Sequence, residues 1–148
     1  MIRRLNLSDI SFILEIIYQS KIWNCFGYEE KPSYNKLEKK MIDLFKMNGW
    51  WVYYLKGTNK IIGWSFLGKT WMNTQISYYI DNKFRNKGYT LEATNAILNN
   101  FIKYNKDKKI KYIVGYVKED NIISKKILNS LGFKYSSSFE YDLYYYYL

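Results

Sequence analysis

The chain has 148 residues, 48% hydrophobic and 24% charged, a balance that predicts a folded globular protein and excludes a disordered one. It has no histidine and a single cysteine, Cys25, which exclude an internal disulfide and argue against zinc sites and histidine-based catalysis. No apolar run approaches the roughly 20 residues that span a bilayer, and "MIRRLNLSDI" lacks the apolar core and cleavage site of a signal peptide, so the cytoplasm is expected.

In chain order, "IRRL" at 2–5 reads as a short strand. The run "LSDISFILEIIYQS" offers Ser8 as an N-cap and places Ile10, Ile13, Leu14 and Ile17 at helical spacing. Residues 21–33 lose periodicity and contain Gly27 and Pro32, so a loop or irregular helix is expected. Leu37, Met41, Leu44 and Phe45 predict a second helix, stopped near Asn48-Gly49. The aromatic and β-branched runs "WWVYYL" (50–55) and "IIGWSFL" (61–67) predict two strands joined by a hairpin at "KGTNK", with "QISYYI" (75–80) as a third. After Gly88 a long helix would carry Ala93, Ile97, Phe101 and Tyr104 on one face, widened by Leu98.

"IKYIVGYV" (110–117) predicts another strand, and Ile123, Ile127 and Leu131 form one helical stripe that Gly132 is placed to end. "FKYSSSF" and "EYDLYYYYL" close the chain as strands; in the second, Tyr141, Leu143, Tyr145 and Tyr147 alternate with Asp142, Tyr144 and Tyr146. The order β-α-α-β-β-β-α-β-α-β-β, with no linker or repeat, predicts one mixed α/β domain over 1–148, an antiparallel meander leading into a β-α-β unit. The net charge of +10 invites a nucleic-acid partner. Yet Lys, Asn, Ile and Tyr are abundant and Pro occurs once, the bias of an A/T-rich genome, and the basic cluster "KDKKIK" (106–111) falls between apolar segments as a solvated loop. Charge alone therefore indicates a nucleic-acid partner only weakly and leaves anionic cofactors open.

One stretch carries chemistry. "RNKGYT" (85–90) lies between an apolar alternating run and an amphipathic helix. A glycine there lets backbone approach a ligand closely, and the first N–H groups of the helix have no internal partners, which suits a pyrophosphate. Arg85 and Lys87 add positive charge.

The spacing R-x-x-G-x-[GA] between a strand and a long helix resembles the acyl-CoA loop of the GNAT N-acetyltransferase superfamily, here Arg85, Asn86, Lys87, Gly88, Tyr89 and Thr90. "GYTLEA" (88–93) is similar to the Gly-Tyr-x-x-Glu-Ala stretch of the ribosomal-protein (Rim-type) branch, and "NIISKKILNSLGF" (121–133) to its Asn-x-x-Ser…Leu-Gly-Phe segment. "IRRLNLSDI" resembles the family's first strand and helix entry, so the resemblance covers nearly the whole chain. Two positions depart from the pattern. Thr90 stands where the loop usually has Gly or Ala, and Leu128 where many members have a tyrosine taken as general acid, one that the Rim-type branch often lacks.

The resemblance implies a mostly antiparallel mixed sheet flanked by about four helices and splayed between the strands at 75–80 and 110–117. It implies acetyl-CoA as co-substrate, bound by residues 85–90, Asn121 and Ser124, with pantetheine pairing to strand backbone. Asn121 also reads as a plain helix N-cap. Acetyl transfer needs a neutral amine, a stabilised oxyanion and a proton for the leaving thiolate. The resemblance puts backbone N–H near Tyr79 at the oxyanion; Ser124 is the nearest proton donor to sulfur. Gln75 occupies a position where a Glu often sits and could orient a water without taking its proton.

Glu92 matches a family glutamate, and Glu29 and Glu30 would border the acceptor, though loop carboxylates are mostly surface groups. Trp23, Tyr28, Trp50, Trp51 and Tyr78 could line an acceptor pocket or simply fill the core. Cys25 has no histidine partner, which favours direct attack over an acetyl-cysteine intermediate. The expectation is an acetyl-CoA-dependent N-acetyltransferase acting on a primary amine of a peptide, protein N-terminus or small molecule. A catalytically silent acyl-CoA-binding module of the same fold is the alternative. The tyrosine-rich tail strand could pair across subunits, which leaves a homodimer open.

Overall fold

The computed structural model describes residues 1–20, 22–105, 110–138 and 140–148. Most of the basic cluster expected as a loop, 106–109, lies outside the described residues, as does Phe139 at the end of an expected strand. The elements are β1 (Ile2–Arg4), α1 (Ile10–Ser20), α2 (Tyr34–Phe45), β2 (Trp50–Tyr54), β3 (Ile61–Lys69), β4 (Thr74–Ile80), α3 (Tyr89–Tyr104), β5 (Tyr112–Val117), α4 (Ile122–Ser130), β6 (Lys134–Ser138) and β7 (Asp142–Tyr147). Short 3-10 turns cover Leu7–Asp9, Trp23–Phe26 and Asn82–Phe84. Among the described residues no helix is long and apolar enough to cross a membrane.

Seven strands form one sheet in the order β1-β2-β3-β4-β5-β7-β6, antiparallel throughout except for β4 and β5. α1 and α2 cover one face, where Ile13, Leu14, Ile17, Leu37 and Met41 pack on Val52 and Trp64. α3 and α4 cover the other, where Ile97, Leu98 and Leu128 pack on Ile76, Ile113 and Phe133. Under α3, the buried Tyr53 phenol is hydrogen-bonded to Ser65 and lies 3.3 Å from Thr94 Oγ1, tying β2, β3 and the helix together; burial pushes the phenol up to about 12.

Gly132 ends α4 as its position predicts. It has φ +90°, its N–H donates to Asn129 O and the N–H of Phe133 to Leu128 O, both at 3.0 Å, which closes the last turn. Two ion pairs fasten the periphery. Arg3 grips Asp9 through both guanidinium nitrogens at 2.7 and 2.8 Å, and Lys125 of α4 pairs with Asp142 of β7. Burial alone would raise the Asp9 carboxyl, but the hydrogen bonds from Arg3 and Asn6 outweigh it and hold it below the usual carboxylate range.

Four expectations change. Ser8 is not the N-cap: it lies inside the 3-10 turn Leu7–Asp9, whose N-cap is Asn6. Tyr104 is exposed, because the buried stripe of α3 runs through Ala93, Thr94, Ile97 and Leu98 and is spent before its last turn. Ile123 is likewise exposed, at the start of α4, while Leu128 and Leu131 take the buried positions. The tail strand β7 has both edges paired, to β5 and β6, so it offers no ladder to a second chain. The sheet's edges are β1 and β6.

Candidate active site

β4 and β5 share only two ladder pairs, Gln75 with Val114 and Ile76 with Gly115, and then part. Beyond Ile76 the edge of β4 that faces β5 has no strand beside it, which leaves backbone donors and acceptors for another amide-bearing chain. A cavity of 530 Å³ opens there, between Tyr78, Tyr79 and Ile80 of β4, the 85–91 segment and the first turns of α4.

The 85–90 segment forms one wall, with all six residues lining the cavity. Asn86 has φ +59° and Gly88 φ +78°, so two left-handed residues flank Lys87 and bend the backbone into a concave, donor-rich turn. Gly88 is the N-cap of α3; lacking a side chain it makes no cap, so the first N–H groups of the helix have no partner from that source. The helix's own ladder begins with Glu92 N–H to Gly88 O at 3.0 Å. Arg85 and Lys87 on this wall and Lys126 on α4 bring three cations to the cavity. These features fit a diphosphate. Thr90 is buried against the protein while still reaching the cavity wall.

α4 forms the opposite wall. Asn121 is indeed the N-cap, its Oδ1 accepting from Ser124 N–H at 3.1 Å, and it also lines the cavity. Ser124 lines it too, beside the apolar side chains of Ile123 and Ile127. That apolar strip on an exposed helix start suits a pantetheine chain. Leu128 is not part of the wall: it is buried over Gly115, where a Cβ would come within 2.7 Å of a Leu128 methyl carbon.

Two expected catalytic positions are corrected. Gln75 does not line the cavity, because it sits where β4 and β5 are still paired, about 13 Å along the strand from Tyr79. The backbone of Tyr79 faces the wrong neighbour. Asp81 N–H donates to Ile62 O of β3 at 2.8 Å, the β3–β4 register is unbroken, and backbone direction alternates along a strand; Tyr79 N–H therefore points at β3. The groups of Tyr78 and Ile80 face the opening, and Arg85 Nε donates to Ile80 O at 3.5 Å from that side. Tyr79 contributes its side chain on the other face of the sheet, stacked on Trp64 at 4.5 Å and donating to Ser20 Oγ at 3.0 Å.

Of the five aromatic candidates only Tyr78 lines the cavity. Trp50 packs between Phe45 and Phe66, Arg4 lies over Trp51, Tyr28 sits by Lys36 and Lys40, and Trp23 packs by Tyr18. Glu29 and Glu30 are exposed and outside the wall, and Glu92 is in the first turn of α3, pointing elsewhere. Reading the sequence missed Lys126, Phe84 and Ile22 as wall residues. Lys126 could have been found, since it lies near Ile123 and Ile127 on the turn that begins at Asn121; Ile22 could not, because only tertiary packing brings it to the opening.

No curated protein matches the chain in sequence. Solved structures match it along nearly its full length. An acetyltransferase of the GNAT family from Bacillus anthracis is 21% identical, with 99% of this chain and 92% of that one covered and a TM-score of 0.77. A ribosomal-protein-S5-alanine acetyltransferase from Vibrio fischeri is 18% identical over 99% and 91%, with a TM-score of 0.75. RimL, a ribosomal L7/L12 alpha-N-protein acetyltransferase in complex with coenzyme A, is 13% identical over 99% and 93%, with a TM-score of 0.76. These likenesses establish the fold. The profile of the acetyltransferase (GNAT) domain matches residues 1–134, and the chain belongs to the GNAT family of acyl-CoA-dependent N-acetyltransferases.

Proposed function

We propose that this protein, acting in the cytoplasm as one domain, transfers the acetyl group of acetyl-CoA to a primary amine by direct attack. The observation that carries the reading is the pairing of an uncapped, left-handed 85–90 turn with a strand edge that opens beside Ser124. The turn's N–H groups, with Arg85, Lys87 and Lys126, receive the diphosphate of CoA. The open edge of β4 and the Ile123–Ile127 strip take its pantetheine arm.

In the reaction, the neutral amine attacks the thioester carbon and the C–N bond forms. The N–H groups of Tyr78 and Ile80 stabilise the oxygen that becomes negative. As the C–S bond breaks, Ser124 Oγ passes its proton to the sulfur and regains one from water. The amine's own proton leaves to solvent, since Gln75 is remote and neither Glu29 nor Glu30 reaches the wall. The acceptor is a primary amine of a peptide or protein N-terminus or of a small molecule; the similarity to two proteins named as ribosomal-protein acetyltransferases supports the first.

Incubation with acetyl-CoA and a panel of alkyl amines and N-terminal peptides tests this, with free thiol as the readout. Acceptor-dependent thiol release is expected; tight CoA binding with no release for any amine would make the protein a silent binding module. For an alkyl amine of pKa about 10, catalytic efficiency should keep rising past about pH 8, whereas an α-amine of pKa about 8 levels off earlier. A limb near pH 6–7 that disappears in Glu29→Gln or Glu30→Gln would refute solvent as the proton acceptor.

A further inference from the structure

β4 is fastened to the layers on either side of it by two consecutive phenols. Tyr79 reaches one face and donates to Ser20 Oγ at the end of α1; Tyr78 reaches the other and donates to the backbone carbonyl of Ser124 at 3.1 Å. Among the described residues, the Tyr78 bond is the one hydrogen bond that crosses from β4 to α4. It spans the opening itself, since Tyr78 and Ser124 both line the cavity.

α4 is otherwise seated on β5, where Leu128 rests on Gly115, and tied to β7 by the Lys125–Asp142 pair. The two ladder pairs between β4 and β5 end at Ile76 and Gly115, short of Tyr78, so they leave the distance between β4 and the start of α4 free. Ser124 is held from both directions: its N–H donates to Asn121 Oδ1 at 3.1 Å and its carbonyl accepts from Tyr78. Its hydroxyl is the polar atom that remains for the cavity. Burial pushes the Tyr78 phenol well above its ordinary value, so it stays protonated and remains a donor across the working pH range.

We propose that Tyr78 is a positioning residue for Ser124, setting how far the Ser124 hydroxyl stands from the reacting sulfur. This rests on the reading of Ser124 as the group that gives sulfur its proton. A hydroxyl misplaced by about an ångström loses part of its value to the transition state while the bound ground state is little affected. Coenzyme binding, carried mainly by the 85–90 turn, stays intact.

The test is a double-mutant cycle on steady-state kinetics with Tyr78→Phe and Ser124→Ala, each also titrated with CoA and measured below its own melting temperature. Tyr78→Phe should lower kcat about five- to tenfold, the rate equivalent of one buried hydrogen bond, with KM for acetyl-CoA within about twofold of the parent. In the Ser124→Ala background the same substitution should change kcat by less than about twofold, because the group it positions is gone. A purely architectural tyrosine would lower kcat by the same factor in both backgrounds, which overturns the proposal. So does parental kcat in Tyr78→Phe, or a loss confined to KM. If the parent turns over and Ser124→Ala does so at the parent's rate, the positioning role falls while the acetyltransferase reading stands; if the parent releases no thiol with any amine, both fall.

Discussion

The two helices that face each other across the cavity begin in opposite ways. α4 starts with Asn121, whose side chain takes up the N–H of Ser124. α3 starts with Gly88, in a left-handed conformation and with no side chain to offer. α2, remote from the cavity, follows the α4 pattern, with Ser33 Oγ accepting from Lys36 N–H at 3.4 Å. A helix that caps itself satisfies its own donors and holds its first turn still, whereas an uncapped one leaves its donors for a ligand. Under the proposed function the contrast is a division of labour: α3 would bind the coenzyme's phosphates, and α4 would hold a hydroxyl in place for the chemistry.

The largest effect that would break this division is expected on the α4 side. Ser124→Ala should lower kcat about 100-fold, since a proton donor acts in the transition state, and should leave the CoA dissociation constant nearly unchanged. The reverse result, weaker CoA binding at full turnover, would make Ser124 a binding contact. On the α3 side, Gly88→Val should raise the CoA dissociation constant about tenfold or more. Nothing lies within 4 Å of a Cβ placed there, so the loss comes from the φ of +78°, which a β-branched residue resists, and not from a clash. Calorimetric titration reads it, and an unchanged constant would remove the turn from the phosphate site.

Asn121→Ala sharpens the comparison because it deletes a cap without touching α3. It should cost about 1 kcal/mol of stability, read by denaturant unfolding, and should weaken CoA binding less than Gly88→Val does. Lys87→Ala should be milder for binding, about fivefold at most, since the lysine is an exposed charge screened by solvent. A loss matching that of Gly88→Val would mean that charge, and not backbone donors, holds the phosphates.

The smallest effect concerns the ion pair that ties α4 to β7. The hydrogen bond from Lys125, helped by Ser138, holds the Asp142 carboxyl below its ordinary value of 3.8. A carboxyl with a depressed folded-state pKa stabilises the fold above its unfolded value, and that contribution is lost as pH falls through the folded one. Asp142→Asn should therefore lower the melting temperature near neutrality, and the gap to the parent should narrow as pH falls from about 5 through the depressed folded value. A gap that stays constant across that range would show the effect to be packing and not charge.

The sequence by itself determined the elements and the glycine turn at 85–90, because both are written in local physics. Period-two and helical spacings place the strands and helices; Gly132 ends a helix that needs a positive φ, and Gly88 with its neighbours builds a turn within six residues. Asn121 capped its helix as its residue type suggests. What the tertiary structure decided is which groups meet across elements. Which edge of β4 faces the opening depends on the register with β3, one residue of which turns every N–H to the other side, and so exchanges Tyr79 for Tyr78 and Ile80. Gln75 was lost to the site because β4 and β5 are still joined at its level, and the point of their parting has no signature in either strand alone. The tail strand's alternation was legible, but its place between β5 and β6, with both edges closed, was not. The bond from Tyr78 to Ser124 joins residues 46 apart in the chain, and no local pattern encodes a contact of that kind.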